Sequence, residues 1–224
     1  MKILVLNGSP KKDSDTMVLT SAFLEGLKDN DIEIINIIEK DIKPCVGCFS
    51  CLKRDEIKCA IDDYQNEILD KIIDSDVIIY SFPLYFYSVP SHLKASWDRL
   101  LPLTKWELIK TGDRYDHVLK CDLSKKKFII ISGCGLPDFE DNFKALKIMC
   151  KNTFYYPICI FARETPILHN PNANPITAPF INKFREAGIE FSKTLDLKEE
   201  TIEELEKPML CSDIYMEIVN KING

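Results

Sequence analysis

Residues 2–27 read KILVLNGSPKKDSDTMVLTSAFLEGL. An apolar strand, Ile3 to Leu6, runs into Asn7-Gly8-Ser9-Pro10, then into a loop carrying the hydroxyls of Ser14 and Thr16, then into a helical pattern. A strand that reaches a helix through small and hydroxyl residues makes an anion cradle. The first N–H groups of a helix lack intrahelical partners, and the helix dipole favours negative charge beside them. The stretch lacks the GxxxxGKS/T pattern of a triphosphate site and the GxGxxG pattern of a dinucleotide site. What is left suits one phosphate, met by amides, hydroxyls and Lys11, with no metal implied. A plain strand-to-helix connection capped by Ser14 or Asp15 would use the same residue types, so this loop alone does not choose.

Working outward, further strand-like runs fall at Ile32 to Ile38, Val77 to Ser81, Phe128 to Ser132 and Tyr156 to Phe161. All but the first of these are nearly continuous apolar runs, as is Ile3 to Leu6, which suits strands covered on both faces. Ile32 to Ile38 is less uniform and reads as an edge strand. Helical stripes lie between them: Leu19, Phe23, Gly26 and Leu27; Ile61, Tyr64, Ile68, Leu69, Ile72 and Ile73; Leu93, Trp97, Leu100 and Leu101, with Pro90 in a first turn; and Phe180, Phe184, Ala187 and Phe191. The alternation predicts an α/β, doubly wound, five-stranded parallel sheet of order 2-1-3-4-5 with helices on both faces. Ligands of such a sheet bind at the carboxyl edge beside strand 1. Residues 1–195 are expected to form this domain, and 196–224 a C-terminal helical extension of two short helices broken at Pro208. Three segments fall outside the alternation: a cysteine-rich loop at 42–63, a long connection at 102–126, and a Pro- and Asn-rich loop at 164–177. Long loops in a compact domain are usually functional or interfacial.

Composition narrows the function classes. The net charge of −6 disfavours electrostatic binding to nucleic acid. The short cluster Lys125-Lys126-Lys127 reads as a solvated turn. No run of about 18 apolar residues occurs, so no membrane span is expected. The chain opens directly on a strand pattern without the features of a signal peptide. Its nine cysteines are therefore expected as thiols or metal ligands in a reducing cytoplasm rather than as a disulfide framework.

The predicted strand order gathers the loops after strands 1, 3 and 4 around one crevice. The second loop, Ser81-Phe82-Pro83-Leu84-Tyr85-Phe86-Tyr87-Ser88-Val89-Pro90, holds four aromatic residues at a surface edge. Exposed aromatic area at an edge calls for a cover, and a flat ring system with a polar rim would supply one. FMN combines such a ring with a single phosphate. A hydrophobic plug or a subunit interface is the alternative. The third loop, Ser132-Gly133-Cys134-Gly135-Leu136-Pro137, has two glycines that let backbone approach a planar ligand. His92, in the first turn of a helix beside the aromatic loop, is expected to be solvated, with an orientation into the crevice as the alternative, and His169 carries no assignment. Cys121, Cys150, Cys159 and Cys211 are expected as buried small apolar residues, and Trp97 and Trp106 as core or interface. Neither GxSxG nor HExxH occurs, so hydrolase and zinc-protease readings lack support.

GSPKKDSDT, SFPLYFYSVPSHLKASWDR and ISGCG together resemble the flavodoxin-like NADPH-dependent FMN reductase family, including its iron–sulfur flavoprotein branch. The resemblance runs from Met1 to about Phe161. It implies bound FMN, a homodimer or tetramer, and an oxidoreductase that passes electrons from NAD(P)H through FMN to a small-molecule acceptor or a redox protein. By position, Ser9, Lys11, Ser14 and Thr16 would hold the phosphate. Pro83, Leu84, Tyr85, Phe86 and Tyr87 would line the isoalloxazine, with Ser132, Gly133, Cys134 and Gly135 closing the other side. The chain departs from the family at Asp13 and Asp15, whose carboxylates must point outward or weaken a phosphate site. No side chain need act as acid or base, because the cofactor carries the chemistry. A flavin-free interaction module, with the aromatic loop as its contact surface, is the reading from a different class.

Cys45-Val46-Gly47-Cys48-Phe49-Ser50-Cys51 is followed by Cys59, a C-x2-C-x2-C-x7-C spacing. Four thiolates this close can converge on one metal centre. The spacing resembles the compact motif that binds a [4Fe-4S] cluster in iron–sulfur flavoproteins, which would make the protein an electron carrier using cluster and FMN in series. A structural zinc site and a loop of free thiols are the other readings. Lys43, Lys53, Arg54 and Lys58 are expected to favour the thiolate form.

Overall fold

The protein is described by a computed structural model covering residues 1–223. In chain order the elements are β1 (Lys2–Asn7), α1 (Asp15–Glu25), β2 (Asp31–Asn36), α2 (Gln65–Asp74), β3 (Val77–Pro83), α3 (Ser91–Asp98), β4 (Thr104–Thr111) and β5 (Arg114–Leu119). They continue with β6 (Lys127–Gly133), α4 (Glu140–Thr153), β7 (Ile158–Ala162), α5 (Asn174–Thr194), α6 (Glu199–Glu206) and α7 (Ser212–Asn223). Five strands form one parallel sheet in the order β2-β1-β3-β6-β7, with β2 at an edge. This is the expected flavodoxin-like arrangement.

Side-chain alternation along the strands divides the core into two layers. Ile3 and Val5 of β1, Ile79 of β3, Ile129 and Ile131 of β6 and Ile160 of β7 face α1, α5 and α6. Leu4 and Leu6, Ile78, Tyr80 and Phe82, Ile130 and Phe161 face α2, α3 and α4. Leu197 and Leu205, from the expected extension, lie in the first of these layers. The second is rich in rings: Trp97 packs edge-on against Tyr80 and Phe82, and Phe143 stacks on Phe161 with centroids 4.8 Å apart.

Several boundaries differ from the sequence reading. The 102–126 connection is an antiparallel hairpin, β4–β5, turning at Gly112-Asp113. Nearly all its residues are exposed, so it carries no burial periodicity by which to be recognised. Helix α4 was missed in the sequence, although Phe143, Leu146 and Cys150 form its buried stripe. Helix α2 begins at Gln65, leaving Ile61 and Tyr64 outside, because the Asp63 carboxylate accepts the Gln65 N–H (3.1 Å) and starts the turn there. Leu101 falls in a short 3-10 turn after α3, and Ile37 in another after β2. The 164–177 segment is two 3-10 turns and the start of α5. Lys126 is held rather than free: its Nζ donates to the carbonyls of Ile73 and Ser75, both at 2.6 Å, at the end of α2. The tail forms α6 and α7 on either side of Pro208 as expected, and Gly224 lies outside the described residues.

Helices α1 and α5 cross with their backbones in contact. A methyl group on Gly188 would sit 2.0 Å from the Phe23 carbonyl oxygen. The obstruction is backbone, so only separating the helices relieves it. Gly188→Ala is expected to lower stability by about 3 kcal/mol, read as a reduced urea midpoint; an unchanged midpoint would contradict the contact. Glu206, at the end of α6, supplies a pH signature. Burial raises its carboxyl to about 7, from an ordinary 4.5. The folded chain then keeps a proton that the unfolded chain releases between those values, so stability falls as pH rises through that window. Glu206→Gln should melt like the wild type below pH 4.5 and at a higher temperature near pH 8. Coincident melting curves near pH 8 would refute the assignment.

Candidate functional site

The loop after β1 is shaped by its own polar groups. The Asn7 carbonyl Oδ1 accepts the Ser9 N–H (2.9 Å), while Asn7 Nδ2 donates to Asn36 (3.0 Å). The Gly8 N–H reaches across to the Ser81 carbonyl (2.8 Å). Ser14 caps α1 by accepting the Met17 N–H at 3.2 Å, which leaves the N–H groups of Asp15 and Thr16 ahead of the intrahelical ladder. Ser9, Ser14 and Thr16 are buried and Lys11 is exposed. The two departures from the family pattern resolve differently. Asp13 is exposed, whereas Asp15 is half-buried and lies 3.3 Å from His169 Nε2. Burial pushes the Asp15 carboxyl above its usual range, and His169 and Lys11 partly offset that. His169, which carried no assignment, is thus the group beside the one carboxylate at this helix start.

The loop after β3 closes as a two-residue turn. Tyr85 and Ser88 exchange N–H···O bonds at 2.9 and 3.0 Å. Its central residues, Phe86 (φ 45°) and Tyr87 (φ 62°), are both left-handed without being glycine. Each bears a strain of roughly 1–2 kcal/mol. Their rings are open to solvent: Phe86 is 98% exposed and Tyr87 52%. Pro83 and Leu84 are half-buried behind them. The Leu84 N–H donates to the Gly133 carbonyl (2.7 Å), tying this loop to the one after β6.

In that third loop Ser132 is fully buried with its Oγ lacking a protein partner. Gly133 has no room for a side chain; a Cβ there would lie 2.7 Å from Thr165 Cγ2 and 3.2 Å from Thr16 Oγ1. The glycine therefore brings the first and third loops together at Thr16. Cys134 is buried, burial pushes its thiol up, and its carbonyl accepts both the N–H (3.0 Å) and the hydroxyl (3.2 Å) of Thr165. Gly135 is exposed, and its carbonyl accepts the Tyr215 hydroxyl (2.6 Å). Glu164, left-handed at φ 62° and buried, accepts the N–H groups of Met209 (2.7 Å) and Leu210 (2.9 Å). Thr165, Glu164 and Tyr215 were missed in the sequence, since nothing local links a C-terminal helix to a strand end. His92 is corrected: it is half-buried with Nε2 unpartnered, and burial lowers its pKa, so it is not a solvated helix residue.

The three loops thus meet as expected, and the residues fit a flavin mononucleotide. A buried hydroxyl without a partner and strained, exposed rings depart from what the chain's own packing favours.

The cysteines lie on the same side of the fold in a second depression. Cys45, Cys48, Cys51 and Cys59 line one pocket with Phe49, Arg99, Leu101 and Pro102. Cys45 and Cys48 are exposed, Cys51 is buried and Cys59 lies between. Among the described residues, no three His, Cys, Asp or Glu side chains are drawn together as a ready metal-binding group. The donor set itself, four thiols on one pocket wall, fits a thiolate-ligated centre. Cys48 has its pKa lowered, chiefly by hydrogen bonds from Ser50 with Arg54 a minor contributor, so the expected lysine effect is not the main cause. Burial raises Cys51, and neighbouring Cys59 adds to it. The hairpin braces the loop: Trp106 meets Phe49 edge-on at 5.9 Å, and Lys120 Nζ donates to the Cys51 carbonyl (2.7 Å). Trp106 is therefore a surface brace and Trp97 a core residue. Of the remaining cysteines expected to be buried, Cys150 is, Cys121 and Cys159 are only partly so, and Cys211 is exposed.

A five-stranded parallel sheet in this order, with three loops meeting at its carboxyl edge, defines a doubly wound α/β protein, a class whose ligands bind at that edge. Residues 1–152 match the family model described as flavodoxin-like fold, and the chain belongs to that family. Over 105 residues it is 37% identical to an iron–sulfur flavoprotein of Methanocaldococcus jannaschii, covering 46% of this chain and 53% of that one. An FMN-dependent NADH:quinone oxidoreductase of Colwellia psychrerythraea is 30% identical over 88 residues, covering 39% of this chain and 40% of that one. The matches therefore span about half the length of these relatives. Among solved structures, an FMN-dependent NADH-azoreductase of Bacillus anthracis in complex with FMN superposes with a TM-score of 0.61 at 19% identity, covering 87% of this chain and 99% of that one.

The strained turn makes a two-sided prediction. Asn-Gly suits two consecutive left-handed residues. The double substitution Phe86→Asn/Tyr87→Gly is expected to raise the melting temperature of the flavin-free protein while weakening FMN binding at least tenfold. A variant that binds FMN as tightly as the wild type would remove the aromatic turn from the site.

Proposed function

We propose that the protein is an FMN-dependent oxidoreductase that takes electrons from NADH or NADPH and delivers them to a small-molecule or protein acceptor. The meeting of the three loops at Gly133, with a partnerless buried Ser132 hydroxyl and the outward Phe86 and Tyr87 rings, carries this reading. The FMN-dependent relatives support it. Ser9, Lys11, Ser14 and Thr16 would bind the phosphate, with the start of α1 supplying backbone N–H groups and dipole. Asp15 would be kept from the phosphate by His169. Pro83, Leu84, Tyr85, Phe86 and Tyr87 would cover one side of the ring, and Ser132, Gly133, Cys134 and Gly135 the other. Bound FMN would supply hydride acceptance from the nicotinamide and onward electron transfer. The protein's part is to hold the ring, orient it and exclude water from its buried face. The reading includes a homodimer, as the resemblance implies, and sedimentation equilibrium tests it. A reducing cytoplasm suits nine free cysteines. No helix among the described residues is long and apolar enough to cross a membrane.

A second reading, favoured by the four-cysteine pocket and by the relatives named iron–sulfur flavoproteins, adds a [4Fe-4S] cluster on Cys45, Cys48, Cys51 and Cys59. Anaerobic purification followed by an absorption spectrum with iron and sulfide assays separates the two. Flavin bands alone support the simple reductase; flavin with iron and sulfide supports the electron carrier; a colourless protein that takes up no FMN supports a flavin-free module and sinks both.

The phosphate assignment has a sharper test at Thr16, since Ser14 also caps the helix and its removal would mix two effects. Thr16→Val is expected to weaken FMN binding by about 1 kcal/mol, roughly fivefold, through one lost hydrogen bond. Riboflavin, which lacks the phosphate, should bind wild type and variant alike; an equal loss for both ligands would reject the contact.

A further inference from the structure

One wall of the four-cysteine pocket is formed by Arg99, which lies outside the cysteine spacing and closes the SFPLYFYSVPSHLKASWDR stretch beyond the aromatic loop. Arg99, just past α3, is 1% exposed and forms a 2.5 Å ion pair with the Asp63 carboxylate, whose side chain is fully buried. The same Nη1 donates to the Lys43 carbonyl (2.9 Å), and Nη2 donates to the Ile61 carbonyl (3.1 Å). Lys43 lies two residues before Cys45 and Ile61 two residues after Cys59, so one guanidinium ties both stems of the cysteine loop together. The Arg99 carbonyl in turn accepts Gln65 Nε2 (3.2 Å), which anchors the clamp to the first turn of α2.

The guanidinium has a donor to spare. Its five N–H groups sit in a rigid fork, and Nε is buried without any partner. Arg99 is a wall residue of the pocket, and the Cys59 thiol lies beside its side chain. Its formal charge is already balanced by Asp63, so what it offers the pocket is a directed N–H. An unsatisfied buried N–H is costly in an empty or apolar pocket and is satisfied by an anionic sulfur. Hydrogen bonds to sulfur raise the reduction potential of iron–sulfur centres.

We propose that Arg99 is the positioning residue of the cysteine pocket, clamping both stems of the loop and presenting Nε–H to a sulfur of a thiolate-ligated centre held there. The clamp is independent of what the pocket holds; the Nε–H contact rests on the cluster reading above.

The test compares the wild type with Arg99→Lys, which keeps the charge next to Asp63 but lacks the fork and the Nε donor. Both proteins are reconstituted anaerobically with ferrous iron and sulfide, and FMN content serves as the check on folding. The variant is expected to bind FMN as the wild type does, to lose iron to a chelator at least tenfold faster, and to show a more negative midpoint potential. A wild-type rate and potential in the variant would overturn the proposal while leaving the cluster reading intact. If the wild type takes up no iron, the cluster reading fails and with it the Nε–H contact; the clamp is then read from iodoacetamide labelling, with exposed Cys211 as internal control. At least tenfold faster labelling of Cys51 and Cys59 in Arg99→Lys supports the clamp, and unchanged labelling overturns it. Should Arg99→Lys not fold, Asp63→Asn, which removes the carboxylate orienting the guanidinium, is read by the same measurements.

Discussion

A parallel strand can be rejoined only by a crossover that returns the chain to the starting edge, and here every crossover leaves the sheet at the same edge. That constraint places the ends of β1, β3 and β6 side by side, with Asn7 opposite Ser81 and Pro83 opposite Gly133. Both sheet faces are filled by side chains, so the edge is where the fold leaves loops free to take on other shapes. The Leu84 to Gly133 hydrogen bond and the contact of Gly133 with Thr16 then join three loops that are distant in sequence.

The site departs from the rules that govern the core. Phe86 and Tyr87 occupy left-handed backbone that a glycine or asparagine would adopt at lower cost. Ser132 buries a hydroxyl with no protein partner, and Asp15 is held half-buried at a helix start. Local departures of this kind are maintained by a stable surround, and they gather where a chain serves something besides its own stability. The surround includes the C-terminal segment. Tyr215 fixes the Gly135 carbonyl, and Glu164 gathers the backbone before α7, so the end of the chain holds the rim set up by its beginning.

The cysteine loop is built on a different principle. It has no strand and only one short 3-10 turn of its own, and its shape comes from outside. Arg99 and Asp63 close its base, Asn66 accepts the Cys59 N–H, and Lys120 and Trp106 of the neighbouring segment hold its far side. A buried ion pair of this kind contributes little net stability but is costly to break from one side, because the surviving charge is left buried. It fixes geometry more than it adds free energy, which suits a loop whose sulfurs must stay near one another.

Strand identity and order, the phosphate-type first loop, the aromatic second loop and the four-cysteine set were legible in the sequence, because each is a local pattern: apolar runs, hydroxyls before a helix, rings at a strand end, a fixed cysteine spacing. The β4–β5 hairpin was not, since a strand exposed on both faces has no alternation to reveal it. The roles of His169, Thr165, Glu164, Tyr215 and Arg99 were not legible either. Each acts through a partner far along the chain: His169 on Asp15, Thr165 and Tyr215 on the third loop, Arg99 on Lys43, Ile61 and Asp63. Short-range chemistry thus determined which residues could bind, and only tertiary packing decided which of them meet, because a hydrogen bond reaches about 3 Å while the residues it joins stand dozens of positions apart.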